Sequence, residues 1–386
     1  MFSAGFRPFF LLAAAWSALA MPLWLCALAG GLPALAWHAH EMLYGFGLAA
    51  VAGFLLTAIP NWTGRLPLRG APLAALAALW LAGRAAVLCS ALIGPRTAAA
   101  VDLAFPLALA AVVAREIAAG RNWRHLPMVA ALLLLGSGSL LVHLHASDVA
   151  YAAALGNRIG VAVLCMLIAL VGGRITPSFT RNWLARHRPG GPMPVQGTRV
   201  DAAALGATLV ALVSWVAAPQ GPATPWLALA AGLALGLRLS RWCGLATLSE
   251  PLLFALHAGY GWLAAGLLLL GLNGVAPFLP ATAALHALTA GAIGTMTLAV
   301  MTRATLGHSG LALQAGPAIR AAFVLVSVAA LLRVASPLAG GVAASLTLLA
   351  GAAWSLAFLL FVASLARPLL ALPSPSQDAL SARRLI

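Results

Sequence analysis

Phe9 to Leu28 reads FFLLAAAWSALAMPLWLCAL, twenty residues without a charge. At about 1.5 Å per residue an α-helix of this length covers ~30 Å, the thickness of a bilayer's hydrocarbon core. The run resembles a secretory leader in being followed by Ala29-Gly30-Gly31. The segment ahead of it, however, holds a single basic residue, Arg7, and the run outlasts a leader's apolar core. It is expected to remain as a first transmembrane helix. The rest of the 386 residues agrees: 63% are hydrophobic and 8% charged, and the mean hydropathy is +1.00. A soluble domain carries about 25% charged residues, so there is too little charge here to coat a water-exposed surface. A soluble globular enzyme, a disordered chain and a collagen-like fibre are excluded.

Punctuating the apolar runs at Pro, Gly and Arg gives twelve expected spans, at 8–29, 37–59, 72–93, 97–117, 126–146, 153–174, 201–218, 223–240, 251–272, 280–303, 318–335 and 342–365. The fold class is therefore an all-α polytopic membrane protein, read as one transmembrane domain over 1–386. Its longest connection, about 175–200, is basic, rich in Pro and Gly, and divides the spans six and six. The formal charge of +15 comes from 22 basic residues, all of them Arg, against 7 acidic ones. In a soluble protein that balance would suggest nucleic acid. With a cytoplasmic N-terminus, all the arginines except Arg84, Arg96, Arg158 and Arg333 fall in cytoplasmic segments, as the positive-inside rule requires. Both termini are then expected inside, and membrane lipid replaces nucleic acid as the partner of the charge. Arg84 and Arg158, within spans, are expected to snorkel or to pair with Asp102 or Asp148. No glycine-rich phosphate loop is present, because Gly172-Gly173-Arg174 is too short for one. The four cysteines, Cys26, Cys89, Cys165 and Cys243, are isolated and expected to be small core residues.

Nine histidines are many for so apolar a chain, and ionisable groups in a membrane are costly enough to imply function. His38 and His40 begin the second span, His143 and His145 end the fifth, and His286 lies six residues into the tenth, all toward the outer face. His257 lies deeper, in the ninth span, while His125, His187 and His308 fall in cytoplasmic segments. In a regular helix residues two apart point about 200° apart, so His38 and His40 face different ways. His40 shares its stripe with Tyr44, and His38 shares its own with Glu41 at i+3. His143 follows Gly136 and Ser139 on a small-residue stripe that admits close approach. An interfacial belt with Trp37, and satisfied interhelical hydrogen bonds, are the structural alternatives. Two imidazoles on different helices at one depth are what a low-spin haem requires. Further nitrogen donors nearby suit copper or another late transition metal. The candidate haem ligands are His40 and His286 with His257 in reserve; His38, His143 and His145 are the candidate copper ligands.

Several blocks carry a family resemblance. They are Gly5-Phe6-Arg7-Pro8-Phe9-Phe10; Trp37-His38-Ala39-His40-Glu41-Met42; Gly53-Phe54-Leu55-Leu56-Thr57-Ala58-Ile59-Pro60-Asn61-Trp62; Gly172-Gly173-Arg174-Ile175-Thr176-Pro177; Leu256-His257-Ala258-Gly259-Tyr260; and His286-Ala287-Leu288-Thr289-Ala290-Gly291, running on to Met301-Thr302-Arg303 and Gly307-His308-Ser309. In this order they resemble the NnrS family of bacterial inner-membrane proteins over nearly the whole length. The resemblance implies a haem- and copper-containing protein, with haem of the b type, tied to nitric oxide metabolism, denitrification and resistance to nitrosative stress. Its ligand would be nitric oxide or a related small molecule, and its electron donor is unknown. By the same resemblance Arg303 and His308 would contact haem propionates or hold their loop. At fold level the chain is also similar to the haem–copper oxidases, with haem ligands near the outer ends of helices two and ten. It lacks their paired histidines on helices six and seven and their double histidine on helix ten. Two other readings stand beside this one: a cofactor-free twelve-helix transporter, and a haem-based sensor without turnover.

Overall fold

The computed structural model describes residues 1–31, 35–145, 151–276 and 279–371, with the side chain of His145 outside them. Helices succeed one another without a strand among the described residues. Eleven are long and apolar enough to cross a membrane. These are α1 (Phe6–Ala29), α2 (Leu35–Thr63), α3 (Ala71–Leu88), α4 (Pro95–Ala119), α5 (Trp123–Leu144), α6 (Ala152–His187) and α7 (Arg199–Ala217), followed by α9 (Pro251–Val275), α10 (Ala281–His308), α11 (Pro317–Leu338) and α12 (Gly340–Leu370). Between α7 and α9 lies α8 (Thr224–Ser240), apolar but shorter. Each expected span thus has its helix, and the chain is a multi-pass membrane protein. In lipid the backbone has no water to bond, so a helix, which satisfies its own amides, is the form these apolar runs must take. Outward-facing Leu19, Leu81, Leu107, Leu209, Leu233 and Leu359 are each at least half exposed, a surface suited to acyl chains.

The punctuation works as local chemistry predicts. Pro72, Pro95, Pro225, Pro251 and Pro317 stand in the first turns of α3, α4, α8, α9 and α11, where the missing N–H costs nothing. Gly64 closes α2 with φ +68, the left-handed geometry glycine adopts without strain, and its N–H bonds the Pro60 carbonyl. One boundary differs from the sequence reading. Helix α6 runs on to His187, well into the loop expected at 175–200, because Arg174-Ile175-Thr176-Pro177-Ser178-Phe179-Thr180 is polar yet helix-competent. The cysteines differ as well: Cys165 is buried, but Cys26 and Cys89 are exposed and Cys243 is intermediate, all free thiols. Apolar neighbours in a membrane helix face lipid as readily as the core.

Among the described residues three helices carry a π-helical segment: Glu41–Gly47 in α2, Ile168–Gly172 in α6 and Ala287–Gly294 in α10. The extra residue breaks the regular ladder and re-aims the side chains beyond it, a distortion that often marks functional sites.

The chain forms two compact units. The first comprises Met1–Gly160, Ala304–Ala312 and the chain from Val362 on; the second comprises Val161–Arg303 and Leu313–Phe361. In the first, α1 packs on α2, α3 on α4, and α4 on α5; in the second, α8 packs on α7 and α9, and the π segment of α10 on α9 and α11. Small residues set these approaches: a side chain at Gly259 of α9 would come within 2.8 Å of the Met296 backbone of α10.

Candidate metal and haem sites

In the first unit α2, α3, α4 and α5 converge on a buried polar cluster. Asp102, on α4, is its hub and is 3% exposed. Its Oδ1 accepts from Nη2 of Arg84 on α3. Its Oδ2 lies 3.2 Å from Nε2 of His40 and 3.0 Å from Nε2 of His143, and accepts from the Ser139 hydroxyl at 2.9 Å. Glu41 completes the ring: Oε1 accepts from Arg84 Nη1 at 2.6 Å and from His40 Nδ1–H at 2.9 Å. The expected pairing of Arg84 with Asp102 is what the structure shows.

The expected Glu41–His38 contact gives way to Glu41–His40. Glu41 opens the π segment, and its carboxylate turns to His40 and Arg84. His38 faces elsewhere, stacked on Trp24 with ring centroids 4.2 Å apart. His40 and Tyr44 do share a face, with rings 5.4 Å apart. Gly45 keeps the cluster tight: a Cβ there would meet Glu41 Oε2 and Trp16 Nε1 at 2.8 Å. The Gly45 carbonyl accepts from Trp80 Nε1 at 3.0 Å, a side-chain donor serving a carbonyl of the π segment. Tyr44 donates to the Gly156 carbonyl at 2.7 Å, tying α2 to α6. Tyr44→Phe is expected to cost about 1 kcal/mol in a denaturant titration in micelles, since that carbonyl keeps its helical bond.

Nε2 of His40, a carboxylate oxygen of Asp102 and a ring nitrogen of His143 all lie within 4.8 Å of one another and can hold a metal ion. The donor set suits copper or zinc in type. His40 also fits a ligand in its tautomer. Its Nδ1–H is spent on a carboxylate, the arrangement that orients imidazoles at metal centres, and its Nε2 points at Asp102 Oδ2 and the Ser139 hydroxyl, where a metal would replace the proton shared there. Of the histidines expected at copper, the structure brings His143 together not with His38, which stands apart, but with His40, expected at haem; the side chain of His145 lies outside the described residues. The carboxylate ligand was not foreseen, because Asp102 falls inside an apolar span and signals only a partner for Arg84.

In the second unit His286, on α10, donates Nδ1–H to the Thr282 carbonyl at 2.7 Å. That bond fixes Nε2 as the bare nitrogen, which makes His286 fit for an axial haem ligand. His257 is 4% exposed. Thr180 gives its own proton to the Thr176 carbonyl, so the 2.9 Å contact of its hydroxyl with His257 Nε2 has the imidazole donating. The bare Nδ1 of His257 is buried without a partner and faces Gly244, where a Cβ would come within 3.0 Å. Arg303 stacks over Phe179 at 4.1 Å, and in the first unit His308 packs on Phe6 at 5.6 Å.

A second buried ion pair went unseen in the sequence. Arg238, counted above among the cytoplasmic anchors, is 5% exposed in α8. It donates to Asp201 at 2.7 Å, to the Tyr260 hydroxyl at 2.8 Å, and to the Ala169 and Gly173 carbonyls at 2.9 and 3.1 Å. It thereby serves the π segment of α6 as Trp80 serves that of α2. Arg7 is likewise buried, donating to the Pro368 and Ala371 carbonyls at the end of α12. A count of arginines per loop cannot see such inward partners.

No curated protein matches this chain. The family model described as NnrS protein matches residues 1–372. With that match spanning nearly every helix and every site residue above, the chain belongs to the NnrS family.

Proposed function

We propose that the protein is a haem- and copper-binding membrane protein of nitric oxide metabolism in a bacterial inner membrane. The observation that carries this reading is the convergence of His40, Asp102 and His143 in a buried, carboxylate-oriented cluster. His40, His143 and Asp102 would hold copper, and His286 would offer Nε2 to haem b. Copper bound there would supply a one-electron couple for a small molecule such as nitric oxide. The chain's own residues do the rest. Glu41 sets the tautomer of His40, Arg84 turns Asp102 so that Oδ2 faces the imidazoles, and Ser139 holds that oxygen in place. The burial of the cluster keeps bulk water from it. Two carboxylates face one guanidinium, a negative surplus that favours a cation. That pairing also supports a metalloprotein over the cofactor-free transporter, since both carboxylates are committed to Arg84 and the imidazoles.

The test is copper quantification and a pyridine haemochrome spectrum on the purified protein. His40→Ala and His143→Ala are expected to lose copper, and Glu41→Gln to weaken it about 10–100-fold. His286→Ala is expected to lose haem while copper stays. A wild-type protein with neither cofactor would overturn the reading. Nitric oxide consumption with an added electron donor separates turnover from sensing.

A further inference from the structure

The connection between α2 and α3, Arg65-Leu66-Pro67-Leu68-Arg69, is framed by two glycines of positive φ, Gly64 and Gly70. With Arg115 and Glu116 of α4 it lines a cavity of ≈ 560 Å³ within the first unit. Three guanidiniums and one carboxylate line it. Glu116 accepts from Arg65 Nε at 2.6 Å and from Arg115 Nη2 at 2.7 Å. Each of these arginines therefore keeps Nη donors uncommitted, and Arg69 has no ion pair or hydrogen-bonding partner among the described residues. The side chains of Arg65 and Arg115 are 45% and 62% exposed.

We propose that this cavity binds the phosphate of an anionic phospholipid. Its depth is right: Gly64 ends α2 and Glu116 lies one turn from the end of α4, so the cavity sits where helices leave the hydrocarbon. Aromatic side chains of an interface belt stand at the same end. Trp62 stacks on His125 at 4.3 Å, Asn122 donates to the Trp62 carbonyl, and neighbouring Trp123 is 56% exposed. The charge fits an anion, because guanidiniums match phosphate oxygens and Glu116 neutralises part of only two of the three. Leu66, 66% exposed, and Leu68 give the same cavity an apolar wall. A free phosphate gains nothing from that wall, whereas a glycerol backbone and acyl chain do. Basic pockets between membrane helices hold lipid headgroups on these terms.

The test titrates the full-length protein in neutral detergent with phosphatidylglycerol, phosphatidylcholine and inorganic phosphate, reading bound lipid by native mass spectrometry. Phosphatidylglycerol is expected to bind more tightly than phosphatidylcholine and to resist an equal concentration of inorganic phosphate. Arg69→Gln, which breaks no hydrogen bond or ion pair among the described residues, should weaken phosphatidylglycerol about fivefold, the worth of one basic side chain near a charged membrane surface. Glu116→Gln, which releases Arg65 and Arg115, should strengthen it. Neither variant should change phosphatidylcholine binding. Wild-type affinity in Arg69→Gln, or equal binding of the two lipids, would overturn the proposal. Displacement by inorganic phosphate would assign the site to free phosphate and overturn the lipid.

Discussion

Arg84→Met is expected to destabilise the protein by about 3–5 kcal/mol, read as unfolding free energy in micelles. Removing one member of a buried charge network leaves the others unpaired at a cost of that order. Here it strands two carboxylates, Glu41 and Asp102, which are 0% and 3% exposed. Trp80, whose ring lies 5.8 Å from the guanidinium, would lose a packing partner as well. Adding Asp102→Asn removes one stranded charge and should recover part of the loss. The double variant would then be less than the sum of the two singles, as residues of one network are. Copper affinity should fall as well in Arg84→Met, because Asp102 loses the partner that turns its Oδ2 toward His40 and His143. A loss below about 1 kcal/mol would mean that Arg84 is solvated rather than structural.

Arg238→Met is expected to cost as much, about 3–5 kcal/mol, for the same reason of buried charge. The consequence is local and different. Asp201 loses its partner inside the second unit, and the Ala169 and Gly173 carbonyls lose the donor that serves the distorted turn of α6. Arg238→Lys should recover little, since an ammonium lacks the planar fork that reaches Asp201, Tyr260 and two carbonyls together. Gly173→Ala provides an independent check. A Cβ at Gly173 would collide with the Arg238 guanidinium, so this variant should mimic part of the loss without removing a charge. Full stability in Gly173→Ala would show that the guanidinium is free to move aside.

Much of this protein is legible from local chemistry. Hydropathy found a helix for each apolar run, eleven of them among the described residues long enough to cross a membrane, because there the apolar run is itself the structural unit. Pro72, Pro95 and Pro317 marked helix starts for reasons internal to one turn of backbone. Histidines stood out because few other groups in so apolar a chain can hold a proton or a metal. The regular-helix argument separated His38 from His40 correctly, since those residues precede the π segment. It failed for Glu41, which opens that segment.

By itself, the sequence determined the class, the succession of apolar helices, the family and the set of imidazoles worth testing. The tertiary structure alone decided which of them meet. Asp102, Ser139 and Arg84 lie on three different helices, each within an apolar run, and nothing within one helix shows which neighbour it faces. Arg238 and Asp201 are 37 residues apart and read as two unrelated interfacial charges until α7 and α8 pack. A span is set by transfer to lipid, a property of each segment alone. A site is set by the rotation and register of several segments at once, and those depend on packing and on the π segments that re-aim them.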